Sequence, residues 1–229
     1  MTESRIVSIQ VGLPAQHGAD LISDQPWESG IFKTAVTGKI RLDTLNLAGD
    51  GQHDLQNHGG KYRAVLAYSA DHYPIWQQEL NRDLPYGSFG ENFTVSGVDE
   101  DSVCLGDIIQ VGEVRLRVSQ PRMPCWKLSR RVGIKKLSHY VDVKEWGGWY
   151  HEVLQTGDVQ AGEAYTIIER RYPQYPIRRL YRLMVERETT VEAYRELASL
   201  FDILTPSWRM RYGGLAASYS EQAQNPTDR

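Results

Sequence analysis

The chain has 229 residues, of which 41% are hydrophobic, a net charge of −3 and two cysteines. That apolar content is enough for a core, and the near-balanced charge argues against a polyanionic partner such as a nucleic acid. Two cysteines make no disulfide framework, no window approaches the ~18 apolar residues of a membrane span, and no signal-peptide stretch follows Met1, so a cytoplasmic protein without a membrane partner is expected.

In chain order, Ile6-Val7-Ser8-Ile9 reads as the first strand. Asn57-His58-Gly59-Gly60-Lys61-Tyr62-Arg63 follows a polar stretch and precedes an apolar one. Its paired glycines let a ligand approach backbone amides, and Lys61 and Arg63 are suited to a phosphate; an ordinary Gly-Gly turn with surface cations is the competing reading. His58 is a base, a metal ligand or a satisfied polar group. Arg63 to Tyr68 reads as a strand, and Asp71 as the cap of a helix with Pro74 in its first turn and Tyr73, Trp76 and Leu80 on one face. Phe89-Gly90-Glu91-Asn92-Phe93-Thr94 sets a carboxylate and an amide on a glycine turn, which also has the form of an Asx-type turn.

Ile108 to Val111, Gly112-Glu113, and the alternation Val114, Leu116, Val118 predict a β-hairpin. The stretch Gln120-Pro121-Arg122-Met123-Pro124-Cys125-Trp126-Lys127 then presents a thiol on a turn stiffened by two prolines. Arg122, Lys127, Arg130 and Arg131 lie close in sequence, and cations favour the thiolate that attacks carbon or binds metal. A buried structural cysteine is the other reading of Cys125. Cys104, inside Val103-Cys104-Leu105, reads as a small core hydrophobe. Gly147-Gly148-Trp149-Tyr150 is an aromatic pair after two glycines, for core packing or a pocket wall. Tyr165 to Ile168 is the last strand of a β-rich region ending near residue 172.

Beyond Tyr172-Pro173-Gln174-Tyr175-Pro176 the period becomes helical. Ile177, Leu180, Tyr181 and Met184 share a face; Thr190 starts a second helix with Tyr194, Leu197 and Phe201; Thr205-Pro206 starts a third. The expected organisation is a barrel domain over 1–172, a three-helix domain over 173–218 and a disordered tail over 219–229. No flavin, nicotinamide or iron–sulfur motif is present, and no phosphate-binding loop or nucleophile elbow.

The ordered set Gly49-Asp50-x-Gln52, His58-Gly59-Gly60 with Arg63-Ala64-Val65, Gly90-Glu91-Asn92, Gly106-Asp107 and Gln120-Pro121-Arg122-x-Pro124-Cys125 resembles the MOSC family. The likeness is nearest to its YiiM-like branch, which carries a C-terminal three-helix appendage similar to residues 177–218. The resemblance implies a mainly β fold, a MOSC-type β-barrel core with interspersed helices, that binds the molybdenum cofactor (molybdopterin). It places the molybdenum ligand and catalytic cysteine at Cys125, a catalytic role at His58, and cofactor contacts at Gly59, Gly60, Lys61, Arg63, Glu91, Asn92 and Arg122. Pyridoxal phosphate is not excluded by any residue pattern. The implied reaction is reduction of small N-hydroxylated molecules such as hydroxylaminopurine bases. Electrons would come from a separate, flavoprotein-type reductase, and a homodimer is compatible. Two alternatives stand beside it: a non-catalytic cofactor carrier or sulfur-transfer module using Cys125, and a thiol hydrolase or transferase pairing Cys125 with His58.

Overall fold

A computed structural model describes residues 3–185 and 190–210. The expected tail over 219–229 and the last part of the third C-terminal helix, after residue 210, lie outside the described residues.

The strands are β1 (Arg5–Val11), β2 (Ala15–His17), β3 (Trp27–Ser29), β4 (Thr34–Ala35), β5 (Ile40–Leu42) and β6 (Val65–Ser69). They continue with β7 (Phe93–Ser96), β8 (Ile108–Val111), β9 (Val114–Pro121), β10 (Trp149–Gln155), β11 (Gly157–Val159) and β12 (Thr166–Glu169). Eight of them form one sheet in the order β12-β8-β9-β10-β6-β7-β1-β4, in which only β6 and β7 run parallel. The sheet curls into a half-barrel. Near one edge the start of β1 is stitched to the residues just before β12: Ile6 donates to Glu163 O at 3.0 Å and Tyr165 to Ser4 O at 2.8 Å. Bringing the two ends of a sheet together satisfies backbone groups that an open edge would expose.

The predicted hairpin is present, with Val111 opposite Val114. Along β9, Val114, Leu116 and Val118 are buried while Arg115 is exposed, as the two-residue period requires. The barrel interior is filled by residues such as Ile6, Phe93, Ile109, Leu116 and Trp149, all fully buried. The strand expected from Arg63 starts later, at Val65, because Lys61–Arg63 make a 3₁₀ turn after Gly60, whose φ is +90°. A polar chain crosses the core. Trp149 Nε1 donates to Tyr165 Oη at 2.9 Å, Tyr165 Oη lies 2.7 Å from His151 Nε2, and His151 Nδ1 lies 3.3 Å from Val65 O.

Of the helices α1 (Leu55–His58), α2 (His72–Leu80), α3 (Trp126–Val132) and α4 (Leu137–Lys144), only α2 was expected. Tyr73 and Trp76 of α2 are buried against Phe89, Leu128 and Val141, making a second core outside the barrel. Asp71 sits at the α2 cap position but makes no side-chain capping bond. Packing divides the chain into Met1–Arg178 and Arg179–Arg229. The second unit holds most of α5 (Ile177–Met184) and all of α6 (Val191–Ser199). Thr190 Oγ1 accepts from Ala193 N–H at 3.1 Å, the expected cap of α6, and Arg179 pairs with Glu196 at 2.6 Å. Residues 206–210 are helical after Thr205. Among the described residues no helix is long and apolar enough to cross a membrane.

Candidate functional site

Cys125 closes the turn between β9 and α3. Its own carbonyl accepts from Leu128 N–H at 3.1 Å and starts the helix, which leaves the thiol unused for capping. The thiol opens into a cleft in the first unit that encloses about 610 Å³ out to its mouth. His58, Arg63, Asn92, Arg122, Lys127 and Tyr150 line the same cleft. Residues from four separate sequence stretches thus line the cleft that holds the thiol.

Burial pushes the Cys125 thiol up, but opposing contacts win and bring it down from 9.0 to about 7. They are a hydrogen bond with His58, the charge of Arg122, the charge of His58 and the Lys127 backbone N–H. Alkylation of Cys125 by iodoacetamide is therefore expected to rise with pH to a midpoint near 7, and His58→Ala should move that midpoint upward. A midpoint near 9 in the parent protein, read by peptide mass spectrometry, would refute the assignment. Cys104 behaves as expected of a core residue. It is buried, its Sγ donates to Pro173 O at 3.7 Å, and burial raises its pKa.

Arg122 is the cation built into the cleft wall. It is 5% exposed, its N–H donates to Gly148 O at 3.0 Å, and Nη2 donates to Phe89 O at 3.2 Å. Its Nη1 is buried and has no hydrogen-bond partner among the described residues. A buried guanidinium nitrogen without an acceptor is costly and marks a place for one. Gly147 makes the approach feasible: a Cβ there would lie 2.2 Å from Arg122 O.

The other expected site residues divide. Arg63 reaches the cleft. Asn92 lines it too, but its Nδ2 donates to Asp50 Oδ2 at 2.9 Å and Gln10 O at 3.2 Å, while Oδ1 accepts from Leu66 N–H at 3.1 Å. Its amide protons are thus used in holding the wall together. Glu91 is fully buried behind that wall. Its carboxylate accepts from Gly87 N–H at 2.8 Å, Phe89 N–H at 3.2 Å, Thr94 Oγ1 at 2.9 Å and the Tyr73 hydroxyl. Gly59, Gly60 and Lys61 do not line the cleft. A Cβ on Gly59 would meet the Leu55 backbone at 2.9 Å, and Lys61 is exposed, 3.4 Å from Glu152. Of the cations near Cys125 in sequence, Arg130 is taken by Asp20 and by the carbonyls of Gly18, Ser23 and Gln25, and Arg131 lies over the Phe32 ring.

Residue patterns gave no role to Lys33. Its buried ammonium lines the cleft in an ion pair with Asp50, where burial lowers its pKa against the pull of Asp50 and Glu91. The segment Ile31-Phe32-Lys33-Thr34 carries no motif. Asp50 stood in the ordered set, and its Oδ1 also accepts from Gly12 N–H at 2.9 Å. Tyr150 lines the cleft, whereas Trp149 is in the core, so the aromatic pair divides between the two readings.

The family profile "MOSC domain" matches residues 54–166, a span that holds His58, Arg63, Asn92, Arg122, Cys125 and Tyr150. The protein YflK of Bacillus subtilis, described as uncharacterized, is 34% identical over 207 residues, covering 90% of this chain and 92% of YflK. The chain belongs to the MOSC domain family. Its YiiM-like character is borne out by the crystal structure of YiiM from Geobacillus stearothermophilus, which superposes with a TM-score of 0.76 at 29% identity, over 93% of this chain and 99% of that one. A Gibberella moniliformis protein named "Reductase" is 33% identical over 177 residues, which are 75% of this chain but 31% of that longer protein. Within the MOSC frame, Lys33 lies outside the matched span and reaches the cleft from the N-terminal side.

Proposed function

We propose that this protein binds the molybdenum cofactor through Cys125 and reduces small N-hydroxylated compounds. The observation that carries the reading is a thiol brought to about 7 in an open cleft, beside His58 and a buried Arg122 with an unpartnered Nη1. The residues fit such a group. A thiolate is a soft donor suited to a thiophilic metal. Arg122 needs an acceptor, and Arg63 and Lys127 set further positive charge around a phosphorylated, dithiolene-bearing ligand. Among the described residues no group of three His, Cys, Asp or Glu side chains could hold a metal ion, so a metal at Cys125 needs ligands of its own. MOSC membership and a relative named as a reductase support the same reading.

When bound, the cofactor supplies two-electron oxygen-atom exchange at molybdenum. The chain's residues do the rest. Cys125 would hold the metal as thiolate. His58 favours the thiolate through its hydrogen bond and, beside it in the cleft, would hold a proton for the bound substrate. Arg122 fixes an anionic group against the wall. Reduction of N–OH to N–H consumes two electrons and two protons and releases water. The chain carries no flavin, nicotinamide or iron–sulfur motif, so the electrons come from a separate reductase, of flavoprotein type.

The test is turnover together with metal content. Protein from a cofactor-competent host should contain molybdenum and pterin and should reduce an N-hydroxylated base with reduced viologen, but not with NADH alone. Cofactor binding without turnover would make the protein a carrier. Thiol-dependent hydrolysis by protein from a cofactor-deficient host would overturn the reading.

A further inference from the structure

Outside the cleft, α2 and the loop after β7 bury a second titratable pair. His72 is 5% exposed and Glu100 1% exposed, with His72 Nε2 2.7 Å from Glu100 Oε2. The His72 ring stacks on Trp146, 4.1 Å between centroids. The other oxygen, Glu100 Oε1, accepts from Gly148 N–H at 2.8 Å. Gly148 in turn accepts from Arg122 N–H at 3.0 Å through its carbonyl. The turn packs closely on its neighbours: a Cβ at Gly148 would lie 2.2 Å from Ala67 O and one at Gly147 2.2 Å from Arg122 O. A hydrogen-bonded line therefore runs from His72 through Glu100 and Gly148 to the backbone of Arg122.

We infer that Glu100 is a positioning residue, which pins the Gly147-Gly148 turn and so aims the Arg122 guanidinium at Cys125. The inference deepens the cleft reading and rests on Arg122 acting at the thiol. A carboxylate that spans two partners holds the turn at a fixed distance. Among the described residues, Glu100 is the one acceptor that Gly148 N–H meets.

The test compares alkylation of Cys125 by anionic iodoacetate and neutral iodoacetamide at one pH, followed by peptide mass spectrometry on the full chain. The rate ratio reads the positive field at the thiol, and a general loosening would raise both rates together. Arg122→Ala should lower the ratio by on the order of threefold. Glu100→Asp keeps a charge facing His72 but is one methylene too short to span both partners, and should lower the ratio as far. Glu100→Gln keeps an acceptor for Gly148 and should retain it. A parent-like ratio in Glu100→Asp, or an equal fall in Glu100→Gln, overturns the positioning role. An unchanged ratio in Arg122→Ala overturns instead the reading of Arg122 as the charge at the thiol.

Discussion

Cys125→Ser is expected to abolish reduction of N-hydroxylated substrates while leaving the fold in place. A hydroxyl is a far poorer ligand than a thiolate for a soft metal, and it does not ionise near pH 7. Even outer partners of metal ligands typically cost 10–100-fold in affinity or activity, so losing the ligand itself should exceed ~100-fold. The fold should tolerate the change because Cys125 starts α3 through its carbonyl, with no side-chain capping bond. Serine is near in size, the position is only partly buried, and the stability change should stay within about 1 kcal/mol. Circular dichroism and urea unfolding check the fold; molybdenum content and viologen-driven turnover check the site. Parent-level turnover in the serine variant would remove Cys125 from the chemistry.

Local signals carried the barrel and the thiol. The alternation in Val114-Arg115-Leu116-Arg117-Val118 is a direct image of a strand with one buried face, and Gly112-Glu113 marks its turn. Helices α3 and α4 escaped because each has only seven or eight residues and Gly133, at φ +77°, separates them, so no window spans a long helical period. Within the site, short motifs marked places but not directions. Glu91 stands in a motif beside the cleft, yet its carboxylate turns inward to the Tyr73 hydroxyl and to backbone amides. Lys33 stands in no motif and reaches the cleft because Asp50, seventeen residues on, draws its ammonium inward. Arg130 and Arg131 also stand close to Cys125 in sequence, five and six residues after it, but helix α3 carries them to other partners. Such directions are set by pairings across the fold, which residue spacing does not encode.

Stability should fall as the solution is acidified through the histidine range, because of His151. Its ring is fully buried in the barrel core and lies between Val65 O and the Tyr165 hydroxyl. The contacts assign the proton. Val65 O can only accept, so Nδ1 carries the hydrogen; Nε2 of the neutral ring then accepts from the Tyr165 hydroxyl, whose oxygen accepts from Trp149 Nε1. A second proton on Nε2 would face a hydroxyl already committed and a core with no counter-charge in contact. Burial accordingly lowers the His151 pKa from 6.5 to about 4, only partly offset by the Val65 carbonyl. Below pH 6.5 the unfolded chain therefore binds a proton that the native barrel refuses, so unfolding becomes easier as pH drops. The contribution is constant above pH 6.5, weakens by up to about 1.4 kcal/mol per pH unit below it, and levels off near pH 4 after a loss of about 3 kcal/mol. Urea unfolding between pH 7 and 4 measures the slope. His151→Gln, which has a carbonyl and an amide but no titrating proton, should be less stable at pH 7 and should lose most of this slope. The same pH dependence in both proteins would place the acid sensitivity elsewhere in the chain.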